Sequence, residues 1–140
     1  YRRQRQMCIR DSFKSAREVM HVARCDQKIA SCLVELGEGE LALTTARKAM
    51  DVFETAHDHE RFTYAQFEFA KAQILLNKID EGLASLEQVL AVLTEEEPRD
   101  LEFIVDVESR ISTVYRMQNR ATEADEIDRR LASVREELGA

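Results

Sequence analysis

A helix-closing residue recurs at three matching places in this chain: Gly37, Asn77 and Asn119. Gly and Asn tolerate a left-handed backbone and so end helices. Each closes a similar stretch: Ile29-Ala-Ser-Cys-Leu-Val-Glu-Leu-Gly37, Phe69-Ala-Lys-Ala-Gln-Ile-Leu-Leu-Asn77 and Ile111-Ser-Thr-Val-Tyr-Arg-Met-Gln-Asn119. A small residue follows five positions later each time, at Ala42, Gly82 and Ala124, and seven beyond those stand Ala49, Val89 and Leu131. Turn and small residue both recur at spacings of 40 and then 42 residues. Two independent landmarks in one register describe an internal repeat.

Between these landmarks the chain reads as helix. One Pro and four Gly leave few places to break a helix, apolar residues make up 44%, and no period-two run of β-branched residues suggests a strand. Leu83, Leu86, Leu90 and Leu93 keep helical spacing, as do Ile127, Leu131, Val134 and Leu138. The pattern predicts six helices, near 14–36, 40–56, 59–76, 80–94, 98–118 and 122–138. Asp80 reads as an N-cap, Pro98 as a first-turn residue, and Thr122 with Asp125 as a capping box carrying Asp in place of Glu or Gln. The expected fold class is all-α, a solenoid of three antiparallel hairpins over about 14–56, 59–94 and 98–138. Such hairpins bury their apolar stripes only by stacking on neighbours.

The small residue early in the second helix of each pair resembles the tetratricopeptide repeat, over about residues 20–135. The first unit shows the pattern in Ala30, Leu33, Leu36, Gly37, Ala42, Ala46 and Ala49, and the second in Ala70, Leu76, Gly82, Leu86 and Val89. The third keeps Ser112, Tyr115, Ala124 and Leu131, with Gln118 and Asp128 where an apolar residue is usual. The period exceeds the family's ~34 residues, as in longer-helix variants of bacterial regulators and sensors. The resemblance implies a right-handed superhelix that binds proteins or peptides.

Residues 1–12, YRRQRQMCIRDS, stand apart. They crowd Arg2, Arg3, Arg5 and Arg10 into a stretch with no apolar periodicity. Met7-Cys8-Ile9-Arg10-Asp11-Ser12 resembles a translated sequencing adapter, the transposase end sequence ATG-TGT-ATA-AGA-GAC-AG. We expect residues 1–12 to be non-native or disordered and 13–140 to be the repeat domain, a fragment of a longer protein. Without residues 1–12, 16 basic and 26 acidic residues remain, a net charge of −10 against −7 for the whole.

That acidity, with no basic stripe, argues against nucleic acid as the partner. No apolar run approaches the ~18 residues of a membrane span. Cys8, Cys25 and Cys32 are an odd number without small-domain spacing, so reduced thiols and a cytoplasmic setting are expected.

Motifs for chemistry are sparse. His21, Cys25 and Cys32 fall on one helix face at metal-ligand spacing, but the plainer reading places both thiols as small apolar core residues. His57-Asp58-His59 reads as a solvated inter-helix tip, and Glu95-Glu96-Glu97 as a wet turn before the next helix's positive end. Gly37, Gly39, Gly82 and Gly139 make no phosphate-cradling loop, and no nucleophile elbow is present. No catalytic residue, cofactor or metal ligand is assigned, and no enzyme activity is expected.

By resemblance, the first helix of each pair lines a concave groove. Its positions would be Arg24, Gln27, Lys28, Ser31 and Glu35, then Tyr64, Phe67, Glu68, Lys71 and Leu75, then Asp106, Ser109, Arg110, Thr113 and Arg116. Five are basic and three acidic, a positive groove on a negative molecule that suits an acidic or C-terminal peptide segment. Ordinary solvated side chains remain the alternative at each position. The family's chaperone-type carboxylate clamp is poorly matched: Gln27, Ser31, Glu68 and Asp106 replace most of its residues, and only Arg110 fits. The expected function is therefore a non-catalytic scaffold that binds a protein, a peptide or another domain of its own chain. The alternatives are the sensory half of a bacterial transcriptional regulator and, last, an enzyme domain.

Overall fold

The computed structural model describes residues 2–139, except the side chains of Arg2, Arg3, Gln4, Gln6 and Met7. The side chains of Arg2 and Arg3, and Tyr1 of the adapter-like segment, lie outside the described residues. The fold is all-α: α1 (Arg2–Glu35), α2 (Gly39–Thr55), α3 (His59–Leu75), α4 (Ile79–Glu95), α5 (Leu101–Met117) and α6 (Ala121–Gly139). Consecutive helices pack as hairpins, and no strand occurs among the described residues. No helix among them is long and apolar enough to cross a membrane.

Four of the five connections are built alike. Gly37, His57, Asn77 and Asn119 all have positive φ, between 56° and 77°. At each, two hydrogen bonds close the helix: Gly37 N–H to Val34 O (3.1 Å) with Glu38 N–H to Leu33 O (2.9 Å), and the same pattern at 57–58, 77–78 and 119–120. This double closure satisfies carbonyls that the last turn would leave bare. Positions 37, 57 and 77 are twenty residues apart, because each 17-residue helix of α2 and α3 is followed by three connecting residues. The 40-residue sequence repeat is thus two copies of a 20-residue helix-and-turn. Only the α4–α5 connection, which carries the cis Glu97–Pro98 peptide, departs from it.

The small residues occupy equivalent places. Ala42, Gly82 and Ala124 are all buried, and each N–H donates to the carbonyl four residues back, in the preceding connection (Glu38, Lys78 and Arg120). Gly82 shows why size matters: an added Cβ would lie 2.6 Å from Ile74 Cγ1 and 3.2 Å from Ala70 O on α3.

Several helix starts differ from the sequence reading. Asp80 is not a cap: Lys78 precedes α4, and Asp80 sits in the first turn, where a carboxylate still favours the positive helix end. Pro98 lies in the connection, and Asp100 caps α5 by accepting from Phe103 N–H (3.1 Å). Thr122 lies inside α6, which begins at Ala121. α3 has a cap the sequence reading overlooked, Asp58 Oδ1 accepting from Arg61 N–H at 3.1 Å. α1 begins at Arg2 rather than near 14, since nothing between them breaks a helix.

The chain divides into two compact units inside α3, at Phe69 and Ala70. In the first, Ala23, Ala49, Met50, Phe53 and Ala65 form a buried cluster flanked by Met20, Val52, Phe62 and Phe69. Arg47 lies over the Phe69 ring, 5.5 Å from its centroid. In the second, Leu86, Val89, Ile104, Val107, Ile111 and Val114 are almost completely buried. Where Asp128 replaces an apolar residue, it accepts from Ser112 Oγ (2.6 Å) and pairs with Arg116, a polar clasp between α5 and α6.

Candidate functional site

The first unit gathers four of the expected groove residues in one cleft. On α1, Arg24, Gln27 and Lys28 have the three- and four-residue spacing that puts side chains on one helix face. On α3, Glu60, Arg61 and Tyr64 face them, enclosing about 460 Å³. Arg24 and Lys28 are exposed, while Gln27, Arg61 and Tyr64 are half-buried. Three cations therefore line the cleft against one carboxylate, Glu60. Arg61 is fixed from behind, its Nε 3.1 Å from Asp58 Oδ2. Among the described residues, Arg24 and Lys28 enter no hydrogen bond or ion pair, so they are the charges open to a ligand.

The remaining expected residues are elsewhere. Ser31 and Phe67, both half-buried, continue the same faces of α1 and α3 but do not line the cleft. Lys71, Arg110, Thr113 and Arg116 belong to the second unit. There Arg116 reaches Asp125 (3.0 Å) and Asp128 on α6. Hydrogen bonds from Arg116 to Asp128 and Asp125 hold the guanidinium's proton more tightly than usual, while Ser112 first and Arg116 second hold the Asp128 carboxyl below the usual range. Its charge is thus already compensated. Thr113 Oγ1 donates back to Ser109 O (2.9 Å), and Arg110 is exposed.

Glu60 and Arg61 were missed by the sequence reading. The signal was available, because they precede Tyr64 by four and three residues and so share its face. Two thiols differ from expectation: Cys25 and Cys32 are exposed, not core residues, and Cys8 is exposed as well. The buried face of α1 is a different one, held by Met20 in part and by Ala23 and Ala30 fully. Cys25 Sγ is 3.8 Å from His21 Nε2, and among the described residues no group of three or more metal-ligating side chains comes together.

No family model, no curated protein and no solved structure matches this chain.

Proposed function

We propose that this chain is a non-catalytic, tetratricopeptide-like interaction module that holds an acidic segment of a protein or peptide in the α1–α3 cleft. The observation that carries the reading is the convergence of Arg24, Lys28 and Arg61 with Gln27 and Tyr64 in one cleft of a chain whose net charge is −7. Against that overall field, attraction of an acidic ligand must be local. Surface potentials decay over ~8 Å at physiological salt, so a cluster on this scale can hold its own sign. Gln27 supplies both a donor and an acceptor to a bound backbone, and Tyr64 offers a ring with a polar tip. Exposed free thiols at Cys8, Cys25 and Cys32 go with a reducing, cytoplasmic setting.

Fluorescence anisotropy with a labelled Glu-rich peptide tests the reading, using a Gln-for-Glu counterpart as control. The acidic peptide should bind more tightly, and its affinity should fall as NaCl is raised. Arg24→Glu with Lys28→Glu should remove the preference. Loss of binding on reversing only Lys71 and Arg110 would move the site to the second unit and end the first-unit reading.

A further inference from the structure

The second unit contains a cleft of its own, lined by residues that take no part in the proposed peptide site. It encloses about 430 Å³ between α4, α5 and α6. Glu108 lines it although the residue is only 3% exposed, and its Oε2 is fully buried with no hydrogen-bond partner. A buried carboxylate oxygen lacking a donor is rare, because the lost hydration is not replaced. Arg130, on α6, acts on Glu108 only through space; its guanidinium stands 3.5 Å from Glu126 instead. Burial outweighs Arg130 and raises the Glu108 pKa above the usual carboxylate range.

The other groups in the cleft complete a pattern. Glu87, on α4, accepts from the Tyr115 hydroxyl at 3.3 Å, leaving acceptor capacity on an exposed carboxylate. Tyr115 is itself covered by Arg120, 4.6 Å from the ring centroid. Apolar walls come from Leu90 and Ile127. With both carboxylates ionised, Glu87 and Glu108 outnumber the one lining cation, Arg130.

We infer that this cleft binds the ammonium group of an aliphatic amine, with Glu108 accepting an N–H at the inner end. Glu87 is the second acceptor, and Leu90 and Ile127 cover the methylene chain. The ammonium supplies the donor that Oε2 lacks, and it neutralises the excess negative charge. The chemistry is the same for a free amine and for the side chain of a lysine.

An NMR titration of the whole ¹⁵N-labelled chain with n-butylammonium chloride tests this, with n-butanol and NaCl as controls. Saturable shifts should appear at amides of α4 and α5 around Glu87 and Glu108, and n-butanol should not reproduce them. Glu108→Gln should weaken binding roughly tenfold, equivalent to about 1.4 kcal/mol. Glu87→Gln, at an exposed position, keeps the test open should the first variant not fold, and should weaken binding by less. Affinity should fall as pH drops through the raised Glu108 pKa, because a neutral carboxyl cannot pair with the ion. Tighter binding of Nα-acetyl-lysine-N-methylamide than of butylammonium would assign the ammonium to a protein side chain, and the reverse to a free amine. No saturable shift, equal binding of n-butanol, or indifference to both Gln variants would overturn the inference and leave a water-filled cleft.

Discussion

The first unit is held together by alanine and the second by branched aliphatics. Ala23, Ala30, Ala42, Ala46, Ala49 and Ala65 are each at most 1% exposed, and Phe53 is the unit's only large, fully buried side chain among the described residues. The second unit buries Leu86, Val89, Ile104, Val107, Ile111 and Val114 to at most 2% exposure. The two units thus use one helix-and-turn scheme with different contents. Alanine lets backbones approach closely and fixes where they cross, but it removes little apolar area from water. Branched side chains fill more volume, so that unit's cohesion is spread over many residues. The difference shows outside too: α1 leaves Phe13, Val19, Val22 and Ile29 about half exposed or more.

The sharpest way to break this comparison is to truncate the large residues. Phe53→Ala should cost about 3–5 kcal/mol, because Phe53 is the largest of the fully buried side chains described for its unit. Ile111→Ala should cost less, about 2–4 kcal/mol. Urea melts giving the larger loss at Ile111 would mean that alanine packing carries the first unit by itself.

Next in size is overpacking at equivalent positions, Ala49 and Val89, each twelve residues past its helix-closing residue. Ala49→Leu should cost about 1–3 kcal/mol, since a fully buried alanine at a helix crossing leaves no room. Val89→Leu should stay below about 1.5 kcal/mol. Equal costs in thermal melts would show that the two hairpins cross at the same separation.

The smallest effect concerns the most deeply buried carboxylate of the second unit, Glu108. Because burial raises the Glu108 pKa, the folded chain holds that proton to higher pH than the unfolded chain does. Its contribution to stability is therefore complete below the ordinary carboxylate range and is lost as pH rises through the raised value. Glu108→Gln does not titrate there, so its advantage over wild type should grow with pH and then level off. A stability difference independent of pH would contradict the assigned burial.

Much of this architecture was legible in the sequence, since Gly and Asn at helix ends report a positive φ directly. His57 was legible only as part of a solvated inter-helix tip, because a positive φ is uncommon outside glycine even though His, like Asn, takes it more often than most residues. Its position midway between Gly37 and Asn77 was the signal. The first-turn acids and Thr122 resembled caps because caps and first turns favour the same side chains. Of the cleft, Arg24, Gln27, Lys28 and Tyr64 followed from the repeat resemblance, whereas Glu60 and Arg61 lie outside the positions it supplies and are marked only by their spacing to Tyr64. Glu108 escaped notice for the opposite reason. It stands between Ile104 and Ile111 on the apolar spacing of α5, where a carboxylate is easily assumed to turn outward.

The most direct test of the central claim, that α1 and α3 form a basic cleft selecting acidic segments, is a charge swap. Affinities of the wild type and of the Arg24→Glu, Lys28→Glu variant should be measured for a Glu-rich peptide and its Lys-rich counterpart. Inverted preference, with the variant taking the Lys-rich peptide in place of the Glu-rich one, is the result expected. An unchanged preference for the acidic peptide would contradict the account.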